Sequence, residues 1–310
     1  MKNFRIKLIL VILASGLVAW GAYFGITTIK KNGSQTSPNM MSGGAMDHDM
    51  ASMSTAQSHR GYDIEVTSDT SNIKPGQSTK ISYKIVNDKK EVLKDFTIAH
   101  EKLMHFILVR KDLQNFQHLH PDFNKQTGEF SVDVTFPADG PYRLFPDFTP
   151  TPENPQKLPV TVNYDVVVGD QSKYKAQPLT VDTATSKTTG GFNIDYFFGT
   201  TPRAGAQLDY GLTISDPNVD EQVQLESYLG AMGHGVIIKE NTLDFIHTHA
   251  TGMDMAGMEG MTAAEHAGHV GEPDTVDFSA TFPEAGKYKI FTQFQVKGKV
   301  ITSDYTVSVN

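Results

Sequence analysis

Six histidines are the residues of this sequence best suited to chemistry, because they fall into two sets with the same spacing. They are His105, His118 and His120 in the first half of the chain and His234, His247 and His249 in the second. The segments around them, MHFILVRKDLQNFQHLHP and GHGVIIKENTLDFIHTHA, otherwise differ. Imidazole is a suitable ligand for Zn, Cu, Fe and Ni. The repeated spacing therefore predicts a three-histidine metal site in each half.

Each set is predicted to lie on a β-hairpin. Residues two apart on a strand share a face, so His118 and His120 point the same way. A tight turn at Asp112-Leu113 would place His105 opposite His120. A turn at Asn241-Thr242 would pair the first and third histidines of the second set by the same rule. Opposed Cβ atoms lie about 4.5–5.5 Å apart, so three rings are expected to converge in each hairpin.

A structural role for these histidines is the alternative. A single histidine on a strand is usually a surface residue or a satisfied core residue, and repeats inherit core residues together with their fold. The recurrence of all three at matched spacing, among neighbours that changed, favours metal ligation.

Two further segments combine methionine with histidine. The first, MMSGGAMDHDMASM, provides the candidate ligands Met46, His48 and Met50. The second provides Met253, Met255, Met258, Met261, His266 and His269. Thioether sulfur is a soft ligand that suits Cu(I), so both segments are candidate copper ligands. The alternative is that methionine and histidine accumulated by chance in polar, low-complexity segments and bind no metal.

Four residues near the hairpins receive separate interpretations. Met232, two residues before the first histidine of its set, is predicted to share its strand face and to be an extra ligand. Met104 is predicted to face the core. His100 corresponds to Leu229 in the second half and is left outside the site. Asp147 is interpreted as a solvated carboxylate, with a hydrogen bond to a metal-ligating histidine as the alternative.

Composition limits the class of protein. The 310 residues allow about two domains. The net charge of −8 and the lack of Lys/Arg clusters argue against nucleic acid as a partner. Cysteine is absent, which excludes disulfides, thiolate zinc sites and blue-copper centres.

The N-terminus is predicted to be a membrane anchor over residues 1–30. Lys2, Arg5 and Lys7 precede the apolar run Leu8–Ile26, which is long enough to cross a bilayer as a helix. A cleaved signal peptide, with a poor site at Ala19-Trp20-Gly21, is the alternative. Both predict that the rest of the chain lies outside the cytoplasm, either tethered or secreted.

The remaining chain is predicted to be all-β: two tandem immunoglobulin-like antiparallel β-sandwiches. A flexible tether covers residues 31–60, lobe one 61–170, a linker 171–189 and lobe two 190–310. The pattern FPxxGxYxxF begins at Phe136 and returns at Phe282, and is interpreted as turn and core. The spacing between the repeats requires 17 extra residues between His249 and Phe282, so the Met/His insertion falls at about 250–273.

These histidine and FPxxGxYxxF segments resemble secreted, duplicated β-sandwich proteins with YtkA-like or CopC-like domains, which are associated with copper handling in bacterial cell envelopes. The resemblance covers both lobes. It implies copper binding and its delivery or sequestration outside the cytoplasm, with a copper-transport or copper-enzyme partner. The Met/His segments have no counterpart in that pattern, so no ligand set of the family can be carried onto them.

Three functions remain open at this point. The first is a membrane-tethered copper-binding protein, with zinc as the alternative metal. The second is a metal-dependent enzyme, because three histidines with an open fourth position can hold a catalytic ion. No acid, base or nucleophile stands at a fixed place in both halves, which argues against that reading. The third is an interaction or adhesion module without metal.

Overall fold

Short strands with alternating burial build both lobes. The computed structural model describes residues 60–151, 158–250 and 273–310. The predicted anchor, nearly all of the tether and the Met/His insertion lie outside these ranges. Within them, no helix is both long and apolar enough to traverse a lipid bilayer.

The described residues of lobe one form ten strands. They are β1 (Tyr62–Val66), β2 (Ser78–Asn87), β3 (Phe96–Thr97), β4 (His105–Arg110), β5 (Gln117–Leu119), β6 (Asp122–Asn124), β7 (Glu129–Thr135), β8 (Gly140–Pro150), β9 (Val160–Thr161) and β10 (Tyr164–Val168). One sheet has the order β1-β2-β7-β6, and the other has the order β10-β8-β4-β5, with β3 and β9 also paired to β8. Side chains of both sheets, such as Tyr83 and Phe106, meet in one buried core.

In lobe two, the part of the chain that the structure describes forms nine strands. They are β11 (Ser186–Thr189), β12 (Phe192–Phe198), β13 (Gln207–Ser215), β14 (Leu225–Glu226), β15 (His234–Lys239), β16 (Phe245–His249), β17 (Thr275–Thr281), β18 (Gly286–Val296) and β19 (Lys299–Val309). The sheets are β11-β12-β13-β17 and β14-β18-β15-β16, with β19 paired to β18. All these pairs are antiparallel, so the predicted all-β sandwich is confirmed. Strand β11 lies inside the segment predicted to be a linker.

The FPxxGxYxxF pattern has the same structural role in both lobes. Tyr142 donates a hydrogen bond from its hydroxyl to the carbonyl of Ala138 (3.0 Å), and Tyr288 does the same to Glu284 (2.8 Å). Each tyrosine ring also lies edge-on to the phenylalanine that begins the pattern. The interpretation of these residues as turn and core is therefore consistent with their contacts.

The hairpin sheets of the two lobes face each other, and both lobes lie in one compact unit. Because strand side chains alternate, Phe106 and Leu108 face the core of lobe one, whereas Ile107 and Val109 join a third buried cluster formed with lobe two. Two stacked aromatic pairs cross this interface. In the first pair the hairpin phenylalanine comes from lobe one, and in the second pair the equivalent phenylalanine comes from lobe two. The pairs are Phe116 with Phe291 (ring centroids 4.3 Å apart) and Phe245 with Phe145 (5.0 Å). His105, two residues before Ile107 on β4, is thereby directed toward the same interface.

Candidate metal centre

Both hairpins have the predicted register. In lobe one, Ile107 pairs with His118 and Phe106 with Leu119, which carries His120 to the position opposite His105. In lobe two, His234 pairs directly with His249.

The predicted two-residue turns are wrong, because the connections are longer loops covering residues 111–116 and 240–244. In these loops Leu113 and Leu243 adopt positive φ angles of 60° and 59°. Both side chains are buried in the cluster between the lobes. The burial of these two leucines offsets the strain of their backbone conformation.

The rings of each set converge. We call His105, His118 and His120 the lobe-one trio, and His234, His247 and His249 the lobe-two trio. In each trio, one nitrogen from every ring can be chosen so that all three lie within 4.8 Å of one another. An ion with bonds of about 2 Å to imidazole nitrogen could be reached by all three after small ring movements.

Backbone carbonyls fix the first ring of each trio. The Nε2 of His105 lies 3.2 Å from the carbonyl oxygen of Ala99, and the Nε2 of His234 lies 2.9 Å from that of Tyr228. A carbonyl oxygen only accepts, so each Nε2 carries the proton. Each neutral ring is therefore left with a bare Nδ1, the nitrogen form that binds a metal.

The second ring of each trio is held by a residue of the other lobe. The Nδ1 of His118 lies 2.7 Å from Oε1 of Gln293, and the Nδ1 of His247 lies 2.7 Å from Oδ2 of Asp147. Gln293 uses its amide nitrogen to donate to Thr302, which leaves its oxygen to accept from His118. Proton donation through Nδ1 leaves each Nε2 bare, as in metal sites where an outer carboxylate or carbonyl orients the ligating ring.

The inward nitrogens fit a cation. Four of them are buried with no hydrogen-bond partner among the described residues: His120 Nε2, His234 Nδ1, His247 Nε2 and His249 Nε2. The other two, His105 Nδ1 and His118 Nε2, lie 2.9 Å apart. Because His105 is protonated on Nε2 and His118 on Nδ1, these two facing nitrogens both carry lone pairs, which repel each other unless a cation or a proton lies between them. Buried polar atoms normally have partners, so four unpartnered nitrogens and two facing lone pairs favour a bound ion.

Comparison with known proteins gives a family. A family model described as a domain of unknown function, DUF8832, matches residues 56–166 and 187–310, one match in each lobe. The chain belongs to the DUF8832 family. The search of curated proteins gives no match.

Among solved structures, the native conformation of E. coli alpha-2-macroglobulin matches at 8% identity and a TM-score of 0.25. The match covers 83% of this chain but only 15% of that one. A similarity this low supports no conclusion about function. The resemblance to YtkA-like or CopC-like domains stays a prediction.

Two residues of this DUF8832 protein lie in surroundings other than the predicted ones. Asp147 is 5% exposed, not solvated, and also accepts a hydrogen bond from Thr161 (2.7 Å). Met232 lies before the start of β15, so strand alternation does not reach it, and it packs against the core of lobe two. Met104 is buried in the core of lobe one, as predicted.

Sequence reasoning missed two residues of the centre. His100 stacks on His249 with ring centroids 3.6 Å apart, although its equivalent in the other lobe is Leu229. No repeat signal could reveal it, because only one lobe has it. Gln293 was also missed. It lies 146 residues after Asp147, the same offset that relates the two FPxxGxYxxF segments, so a comparison of these segments could have found it.

The remaining candidate ligands of the DUF8832 chain belong to the two Met/His segments. Met46, His48, Met50, Met253, Met255, Met258, Met261, His266 and His269 lie outside the described residues. Their role stays a prediction.

Burial keeps most of the trio rings neutral. Desolvation is the main cause of the lowered pKa values, which fall to about 2 for His105, about 3 for His234 and about 4 for His120. The pKa values of His118 and His249 are also lowered, first by burial and then by neighbouring histidines. Neutral imidazole is the form that binds metals, so protons compete weakly at neutral pH.

The metal-free DUF8832 protein is expected to lose stability on acidification. The unfolded chain binds protons near the ordinary histidine pKa of about 6.5, whereas the folded pKa values of His105 and His234 lie far below it. The contribution of these two residues to the free energy of unfolding is therefore fully present above about pH 6.5, and it is lost as the pH drops below that value. Between pH 7.5 and 5.5 the loss is on the order of 1 kcal/mol for each of these two residues.

Urea unfolding midpoints at the two pH values measure this loss. The His105→Gln variant is the control and should show a smaller pH dependence. Equal midpoints for the unmodified chain at pH 7.5 and 5.5 would contradict the expectation.

Proposed function

We propose that this protein is a membrane-tethered copper-binding protein that sequesters or delivers copper outside the cytoplasm. The observation that carries the proposal is the convergence of the ring nitrogens: in each trio one nitrogen of every ring lies within 4.8 Å of the others, and four trio nitrogens are buried without a hydrogen-bond partner among the described residues. The outward nitrogens of His105, His118, His234 and His247 are bonded to fixed acceptors.

Copper is favoured over zinc by the donors in the whole chain. Three histidines suit either metal. The Met/His segments around His48 and between His249 and Phe282 supply soft thioether sulfur, a ligand that suits Cu(I). These segments would capture Cu(I) or pass it to a copper-transport or copper-enzyme partner, and the trios would hold it.

The architecture and location form part of the same proposal. Each lobe would be an immunoglobulin-like sandwich, for which the tyrosine hydroxyl bond to a carbonyl four residues upstream is a typical feature. The apolar run Leu8–Ile26 behind three basic residues would anchor the chain with both lobes outside the cytoplasm. The resemblance to envelope copper proteins agrees with that location.

Metal titration of the full-length chain in detergent tests the proposal. Competition with chelators should show two equivalents of Cu(II), and at least two of Cu(I), bound with dissociation constants of about 1 μM or lower, and weaker binding of Zn(II). Protein purified from its native host should contain copper. Copper binding no tighter than about 1 mM would refute the function, and tighter binding of zinc than of copper would refute the choice of metal.

A further inference from the structure

Two rings of each trio lie as close to two rings of the other trio as the rings within one trio lie to each other. Inside the trios, ring centroids lie between 4.6 Å (His247 to His249) and 6.3 Å (His234 to His247) apart. Between them, His105 lies 5.4 Å from His247 and 6.0 Å from His234. His118 lies 6.2 Å and 6.1 Å from the same two rings. No gap in these distances separates one trio from the other.

The sites also depend on each other for their hydrogen bonds. Asp147 pairs across strands with His105, the first ring of its own lobe, yet accepts the proton of His247 in the other lobe. Gln293 pairs with His234 and accepts the proton of His118. Neither trio is oriented completely by its own lobe, so the docked pair of lobes is the unit that builds the centre.

His100 joins the two trios at one side. Its ring stacks on His249, and its centroid lies 5.5 Å from His234 and 6.3 Å from His105. It sits in a turn with a positive φ of 48°, a conformation that a non-glycine residue adopts at an energetic cost. The turn thereby brings a seventh imidazole next to a ring of each trio, with centroid distances of 3.6 Å to His249 and 6.3 Å to His105.

We propose that the two trios form a single dinuclear metal centre, in which two copper ions lie close enough to interact. The inference rests on the proposed function, because it requires that the trios bind metal. Each ion lies about 2 Å from its ring nitrogens. Rings of the two trios approach each other to a centroid distance of 5.4 Å, so two ions bound on the facing sides of these rings can lie at the spacing of about 3.5–4 Å found in two-metal sites. Two ions at this distance can share a small bridging ligand such as hydroxide.

Electron paramagnetic resonance of Cu(II) bound to the full-length chain tests the inference. One equivalent should give the spectrum of an isolated ion. The second equivalent should broaden that spectrum or reduce its integrated intensity below two spins, because the neighbouring ions couple. Two equivalents that give two sharp, independent spectra with full intensity would overturn the dinuclear centre and leave the proposed function standing. Absence of Cu(I) and Cu(II) binding would overturn both.

Matched variants in the two lobes serve as controls. The His120→Ala and His249→Ala variants each remove the third ring of one trio. Each should lose the coupling and keep the isolated spectrum from the intact trio, with the total reduced to about one tightly bound equivalent. Because the two substitutions affect different lobes, a folding defect in one still leaves the other as a test. Coupling that persists in both variants would also overturn the proposal.

Discussion

Replacement of His234 by alanine is expected to weaken copper binding in lobe two about 100-fold or more, which corresponds to about 2.7 kcal/mol. The substitution removes the only inward nitrogen of β15 and leaves two ligands where three converged. It also leaves the carbonyl of Tyr228 without the hydrogen bond from Nε2. Competition titration with a chelator measures the effect, and the site in lobe one should retain most of its affinity.

The Met232→Leu variant is a matched control for this substitution. Met232 lies two residues earlier and packs against the lobe-two core, and leucine is close to it in volume. We expect copper affinity to stay within about threefold of the unmodified protein. A large loss in Met232→Leu would show that its sulfur binds the ion. An unchanged affinity in folded His234→Ala, checked by its unfolding midpoint, would refute the lobe-two trio as a metal site.

Replacement of Asp147 by asparagine is expected to weaken metal binding in lobe two about 10–100-fold, the usual cost of removing a residue that orients a ligating histidine. The carboxylate accepts the Nδ1 proton of His247 at 2.7 Å, and both side chains are nearly inaccessible to solvent (6% and 4% exposed). Asparagine keeps the size but removes the negative charge beside the ring that would ligate the metal. The variant is measured by the same chelator competition.

The reciprocal substitution, Gln293→Glu, is the control for charge. Gln293 occupies the position of Asp147 relative to the other trio and bonds to His118. A carboxylate there should strengthen metal binding in lobe one, whereas Asp147→Asn weakens it in lobe two. If Asp147→Asn reduced both sites equally, the effect would be a general loss of lobe docking rather than the orientation of one ring.

The hairpin register was predictable because it follows from local rules. Alternation of side chains and the position of each loop centre place His234 opposite His249 before any tertiary contact is known. The duplicated spacing fixed which residues are equivalent. Loop length was not predictable in the same way, because Leu113 and Leu243 turn inward only to fill the interface between lobes.

The sequence by itself determined that two antiparallel β lobes each carry three histidines on one face of a hairpin, since strand periodicity is a local property. Only the tertiary structure decided that these faces are turned toward each other. That arrangement brings together residues as far apart in the chain as His118 and Gln293, and His100 and His249. Such contacts depend on how two apolar surfaces dock, with Phe116 stacked on Phe291 and Phe145 on Phe245, and no spacing within one lobe encodes that docking.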